Sequence, residues 1–168
     1  MAFFRIRTSV GLSVLSALCL TSTAALARDV SFSDCGQGEV KAVRVENCGD
    51  GACSVASGSA VQVDIDFVSS VDVRAPVLEG QVDVSGLLVS LPGVETDGCK
   101  STQCPVRSGG KTSVHLEVSL SEVSASLPPQ ARETVSSARP EMHVRVVSPS
   151  GEPLACVRIP FKLVPEMS

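Results

Sequence analysis

The chain has 168 residues, 14 basic and 18 acidic side chains, and a formal net charge of −4 at pH 7. Residues 1–27 contain two of the basic groups and none of the acidic ones, so the rest of the chain carries about −6. That sign argues against a nucleic acid as partner, and a remainder of about 140 residues suits one domain around one core.

The first element is a leader. Arg5 and Arg7 precede an uncharged, mostly apolar run from Val10 to Leu20, and small residues follow as far as Ala25-Leu26-Ala27. This pattern predicts a secretory signal peptide over residues 1–27, cleaved after Ala27. Its apolar run falls well short of the roughly 20 residues needed to cross a bilayer. The folded domain is expected over residues 28–168, released as a soluble monomer into the secretory pathway.

Beyond the leader, apolar and polar residues alternate. A short strand is expected near Val30 to Phe32 and a longer one from Val40 to Val45. Val61, Val63, Ile65 and Phe67 then share one parity, while Gln62, Asp64 and Asp66 take the other, the signature of a half-buried strand. Val77 to Val84 is another candidate. The pattern returns at Val114, Leu116, Val118 and Leu120, at Met142, Val144 and Val146, and at Val157, Ile159, Phe161 and Leu163. Turn signals separate these runs: Cys48-Gly49-Asp50-Gly51-Ala52-Cys53, Pro92-Gly93, Ser108-Gly109-Gly110 and Ser148-Pro149-Ser150-Gly151. The stretch from Pro128 to Pro140 reads as a solvated loop, and no segment shows a sustained helical period. About seven antiparallel strands in two sheets predict an all-β sandwich, with a closed barrel as the alternative.

Of seven cysteines, Cys19 lies in the leader, which leaves Cys35, Cys48, Cys53, Cys99, Cys104 and Cys156. An even number in a chain bound for an oxidising compartment predicts three disulfides. Zinc ligation would call for nearby histidines or Cys-x2-Cys spacing, and both are missing. Six cysteines allow 15 pairings. Cys48 with Cys53 and Cys99 with Cys104 are near enough to close small loops, which would leave Cys35 for Cys156.

Catalytic chemistry finds little purchase. His115 and His143 fall on the polar parity of their strands and are expected to face solvent. No serine sits in a Gly-x-Ser-x-Gly turn, and oxidised cysteines are not nucleophiles. No enzyme, metal or cofactor is predicted. Asn47 is followed by Cys48 and Gly49, so it is no glycosylation site.

Several short motifs together carry a resemblance. They are Phe32-Ser33-Asp34-Cys35-Gly36, the pair Cys48 and Cys53, Asp97-Gly98-Cys99-Lys100-Ser101 leading to Cys104-Pro105-Val106, and Gly151-Glu152-Pro153-Leu154-Ala155-Cys156 before Ile159-Pro160. Over about Val30 to Val164 the chain resembles the ML lipid-recognition family, nearest to its Niemann-Pick type C2 branch of sterol carriers. The resemblance implies an immunoglobulin-like sandwich whose sheets part to admit a sterol or other apolar lipid. It also implies the pairs Cys35 with Cys156, Cys48 with Cys53, and Cys99 with Cys104. It brings Leu91, Leu120 and Leu127 to the lipid cavity, and parity adds Phe67, Val82 and Val84. The implied partners are a membrane surface, touched transiently, and a membrane sterol transporter of the Niemann-Pick type C kind. The implied location is outside the cell or in an endosomal or lysosomal lumen. The chain departs from the sterol carriers in having no Tyr or Trp, keeping only Phe32, Phe67 and Phe161 beyond the leader. Two alternatives stand beside a sterol carrier: an extracellular carrier or recognition module for fatty acids or other lipids, and a secreted adhesion or inhibitor module with a filled core.

Overall fold

The computed structural model describes residues 27–48, 53–129 and 139–164. The predicted leader, Ala27 apart, lies outside them, as do 49–52 of the first turn and 130–138 of the Pro128–Pro140 segment. The elements run β1 (Arg28–Asp29), β2 (Ser33–Asp34), β3 (Val40–Val45), β4 (Cys53–Ala56), β5 (Ala60–Val68), β6 (Val77–Val84) and β7 (Leu87–Ser90). After these come α1 (Gly98–Ser101), β8 (Lys111–Ser119), α2 (Leu120–Ser126), β9 (Glu141–Val147) and β10 (Pro153–Val164).

Alternation does what it predicts. Val61, Val63, Ile65 and Phe67 are each 2% exposed or less, whereas their neighbours on β5 stay half-exposed. Two such sheets hide their apolar faces against each other. One has the order β1-β3-β5-β8 and the other β2-β10-β9-β6-β7, and one contiguous core draws on both. The architecture is the all-β sandwich expected, with three disulfides: Cys35–Cys156, Cys48–Cys53 and Cys99–Cys104.

Several details differ from the sequence reading. Among the described residues ten strands form rather than about seven, and one pair is parallel, with β4 running alongside Phe161–Val164 of β10. The strand expected near Val30 to Phe32 is instead a crossing between β1 in the first sheet and β2 in the second. β7 exists because Ser85 and Gly86, at φ 55° and 90°, make a two-residue turn that pairs Val84 with Leu87. Leu120 does not end a strand. Ser119 ends β8 and caps the next element, its hydroxyl accepting from the Glu122 N–H, so Leu120 opens α2. Leu120 and Val123 on that helix, with Leu127 at its end, are buried, an i, i+3, i+7 spacing.

β10 is long enough to serve three neighbours. One edge pairs with β9 throughout Pro153–Pro160, while the other meets β2 at Val157–Arg158 and β4 from Phe161 onward. The Phe161 N–H donates to the Pro140 carbonyl on the β9 side. Strand alternation therefore turns the nitrogen of Pro160 to the opposite edge, into the interval between β2 and β4, where its missing donor breaks no ladder bond.

Candidate functional site: an apolar slit between the sheets

Strand register selects which inward side chains meet. From the first sheet, Val63 stands opposite Val45 and Leu116, with Val61 one pleat further along. From the second, Met142 stands opposite Ile159, and Phe161 opposite Cys53 of β4. A slit lies between the two groups, walled by Val45, Val61 and Val63 on one side and Met142, Ile159 and Phe161 on the other. Leu120 and Val55 also line it. The slit presents no polar atom, so a ligand there would be held by exclusion from water and dispersion alone. Its volume is about 10 Å³, room for roughly one water-sized sphere. A lipid enters only if the sheets part.

Among the six expected cavity residues, Leu120 lies on the slit wall. Val82 pairs with Met142 and so adjoins it, and Val84 lies two residues further along β6. Leu91 packs against the backbone of Gly80, where an added Cβ would come within 3.0 Å of its Cδ1. Leu127 is buried at the end of α2, and Phe67 lies toward the other end of β5. All six belong to the one core cluster. Met142, Ile159, Phe161, Val61 and Val63 already carried the apolar parity, but parity assigns a face and not a depth along the sandwich. Their selection required the register.

Charge lies outside the slit. On the outer face of the first sheet, the Asp66 carboxyl is held below its ordinary value by hydrogen bonds from the Arg44 guanidinium, at 2.6 and 3.0 Å, with help from the Ser113 hydroxyl. The Glu95 carboxyl is lowered by the Lys100 ammonium 2.8 Å away. His115 does face solvent, its Nδ1 2.8 Å from Asp64. His143 lies on the polar parity of β9 but is half-buried, its side chain 21% exposed and its Nε2 buried 3.7 Å from Glu141. Among the described residues no group of three or more His, Cys, Asp or Glu side chains is placed to hold a metal, and no helix is long and apolar enough to cross a membrane.

The geometry defines a class of its own kind: a disulfide-stapled all-β sandwich whose two sheets meet across a wholly apolar slit. Comparison with known proteins makes the class specific: residues 29–163 match the ML domain family, and the chain belongs to it. It is thereby a lipid-binding domain without catalytic activity. Among curated relatives, the mite group 2 allergen Pso o 2 of Psoroptes ovis is 33% identical over 98 residues, which is 58% of this chain and 68% of the allergen. The NPC intracellular cholesterol transporter 2 of Bos taurus is 35% identical over 88 residues, 51% of this chain and 59% of the transporter. Identity of similar size to both kinds of relative marks the frame of the family rather than that of the sterol-carrier branch. A crystal structure of a Niemann-Pick type C2 protein from the Japanese carpenter ant shares the fold, with a TM-score of 0.63 at 19% identity, covering 80% of this chain and 99% of that one.

Proposed function

We propose that the protein is a secreted or lumenal lipid carrier that takes a sterol, or an apolar lipid of similar size, into the slit and hands it to a membrane or a membrane-bound acceptor. The observation that carries this reading is the slit itself: apolar side chains of both sheets meet without a polar atom or an ion pair between them. A bound lipid gains about 25 cal/mol for each Å² of apolar surface taken from water, so some 400 Å² would supply roughly 10 kcal/mol against association costs of about 4 to 15 kcal/mol. Parting the sheets draws on the same gain. A sterol is favoured as cargo by the bovine relative whose name carries cholesterol transport. The leader at residues 1–27 and a domain at 28–168 would place the carrier in the secretory pathway, with delivery outside the cell or to an endosomal or lysosomal lumen. The cavity in use is proposed to extend from Leu120 toward Val82, Val84, Leu91, Leu127 and Phe67.

The test is direct. Protein secreted from eukaryotic cells is extracted with organic solvent and the extract analysed by mass spectrometry, with delipidated protein then titrated with a fluorescent sterol. One sterol per chain is the expected result. An extract without lipid, together with a flat titration, overturns the reading.

A further inference from the structure

A polar cleft of about 510 Å³ lies between residues 102–105 and the start of β8. It is at the far end of the sandwich from the slit, since Lys111 pairs with Val68 while Val118 pairs with Val61 of the slit wall. The turn Arg107-Ser108-Gly109-Gly110-Lys111 sets two cations on its rim. Gly109 takes φ 72°, the Gly110 N–H donates to the Arg107 carbonyl at 3.1 Å, and a Cβ at Gly110 would stand only 3.1 Å from that oxygen, so the turn needs both glycines. Arg107 and Lys111 are the charged side chains of the lining, with no acid among them. Both are exposed, and among the described residues neither forms an ion pair. Two acids close to the turn are engaged: Asp66 accepts from Arg44 and the Ser113 hydroxyl, and Asp72 accepts from the Ser108 N–H.

The edge of β8 adds a donor. This strand ends its sheet, and the Ser113 carbonyl points away from β5, where it accepts the Thr102 hydroxyl at 2.6 Å. In an antiparallel strand the N–H of a residue leaves on the side of its carbonyl, so the Ser113 N–H is turned toward the cleft. A further strand could not add here, because Thr102 already fills the carbonyl it would pair with. The edge suits a compact acceptor of several hydrogen bonds instead.

We infer that the cleft binds the tetrahedral oxyanion of a soluble phosphate or sulfate ester, with Arg107 and Lys111 supplying the charge and the Ser113 N–H a directed bond. Hydrogen bonds from cations to an oxyanion are the strong kind, and the Arg fork can meet two of its oxygens while Lys acts as a point charge. An extended anionic surface would be opposed by the excess of acids beyond the leader, which a small ester escapes. Cleft and slit share no residue, so the site stands apart from lipid carriage.

The test follows the backbone amides of the isotope-labelled protein during titration with inorganic phosphate and with inorganic sulfate, against chloride at matched ionic strength. The expected result is saturable shifts at Ser113 and along residues 107–111, with affinity about tenfold weaker in the Arg107→Gln, Lys111→Gln double variant, whose thermal melt matches wild type. Shifts that follow ionic strength alone, or saturation unchanged in the double variant, overturn the site. Pelleting with phosphatidic acid vesicles while free phosphate and sulfate leave the cleft unshifted overturns the soluble ligand. None of these outcomes touches the carrier reading, which the sterol titration decides separately.

Discussion

At the end of the sandwich where β3 begins and β5 finishes, the packing is braced by directed bonds. Val73 and Val106 exchange two backbone hydrogen bonds of 2.9 Å, the Gly109 N–H donates to the Ser69 carbonyl, and Ser108 is tied to Asp72 and Ser70. The Asp34 carboxylate accepts from the N–H groups of Gly36 and Val40, fastening the β2–β3 crossing that Cys35–Cys156 anchors to β10. The opposite end holds the slit, where valines, Leu120, Met142, Ile159 and Phe161 meet across the sheets through apolar contact. Only the short Cys48–Cys53 loop is covalent there. Undirected contacts can separate and re-form around a guest, whereas a bonded brace cannot. Backbone bonds are present at the slit end too, from the Leu120 N–H to the Ser59 carbonyl and from the Ser57 N–H to the Val164 carbonyl, but the side chains that face each other across the slit make none.

The largest effect should come from the braced end. Replacing Cys35 and Cys156 by Ser releases a connection across 121 residues, which the chain-entropy model values at about 5 kcal/mol. The same change at Cys48 and Cys53, five residues apart, should cost about 2 kcal/mol. Denaturant titration of the two variants checks the order. Equal losses would erase the contrast between the ends.

Large-to-small substitutions sharpen it. Phe67→Ala, in the braced half, is expected to cost about 4 kcal/mol through the cavity it leaves. Met142→Ala, on the slit wall, should cost only about 2 kcal/mol, at the low end for such changes. It should also tighten lipid binding, because the cavity it makes is space the lipid needs. Calorimetric melting with a fluorescent lipid titration reads both.

Filling the slit is the converse. Leu120→Trp should cost about 1 to 3 kcal/mol by overpacking and abolish lipid uptake. Thermal melts with the same titration decide, and retained uptake would move the ligand elsewhere.

The smallest effect lies on the outer face of the first sheet. Asp66→Asn removes a carboxylate whose pKa Arg44 holds down, and because the pair is about one-third exposed the loss at neutral pH should stay below about 1 kcal/mol. The carboxylate's contribution is fully present above its ordinary value of 3.8 and disappears as pH falls through the lowered folded value. Wild type and variant should therefore converge in acid, as urea melts across pH would show.

Parity along the chain was enough to foretell the sandwich, since each buried run on β5, β8, β9 and β10 alternates in sequence. The strands that escaped notice are short or exposed: β1 and β2 have two residues each, β4 has four, and β7 exposes Leu87 and Leu88. Ser85-Gly86 was a readable turn signal for β7, and Leu120, Val123 and Leu127 were a readable helical spacing for α2. The slit was only partly legible. Leu120 came from family resemblance, while Met142, Ile159 and Phe161 face Val61 and Val63 across the two sheets, from strands about 80 to 100 residues apart in sequence, a meeting that no local pattern encodes.

The central claim is that the lipid lies between the sheets at the slit end. Beyond the leader the chain has two isoleucines, Ile65 in the middle of β5 and Ile159 on the slit wall, and Met142 supplies a further methyl probe there. Intermolecular nuclear Overhauser effects from a bound, isotope-labelled lipid to these methyls give the most direct test. The account predicts the strongest transfer to Met142 and Ile159, falling off at Ile65 as the cavity runs from the slit toward Phe67. Transfer confined to surface residues, with the Met142 and Ile159 methyls silent in the lipid-bound protein, would contradict it.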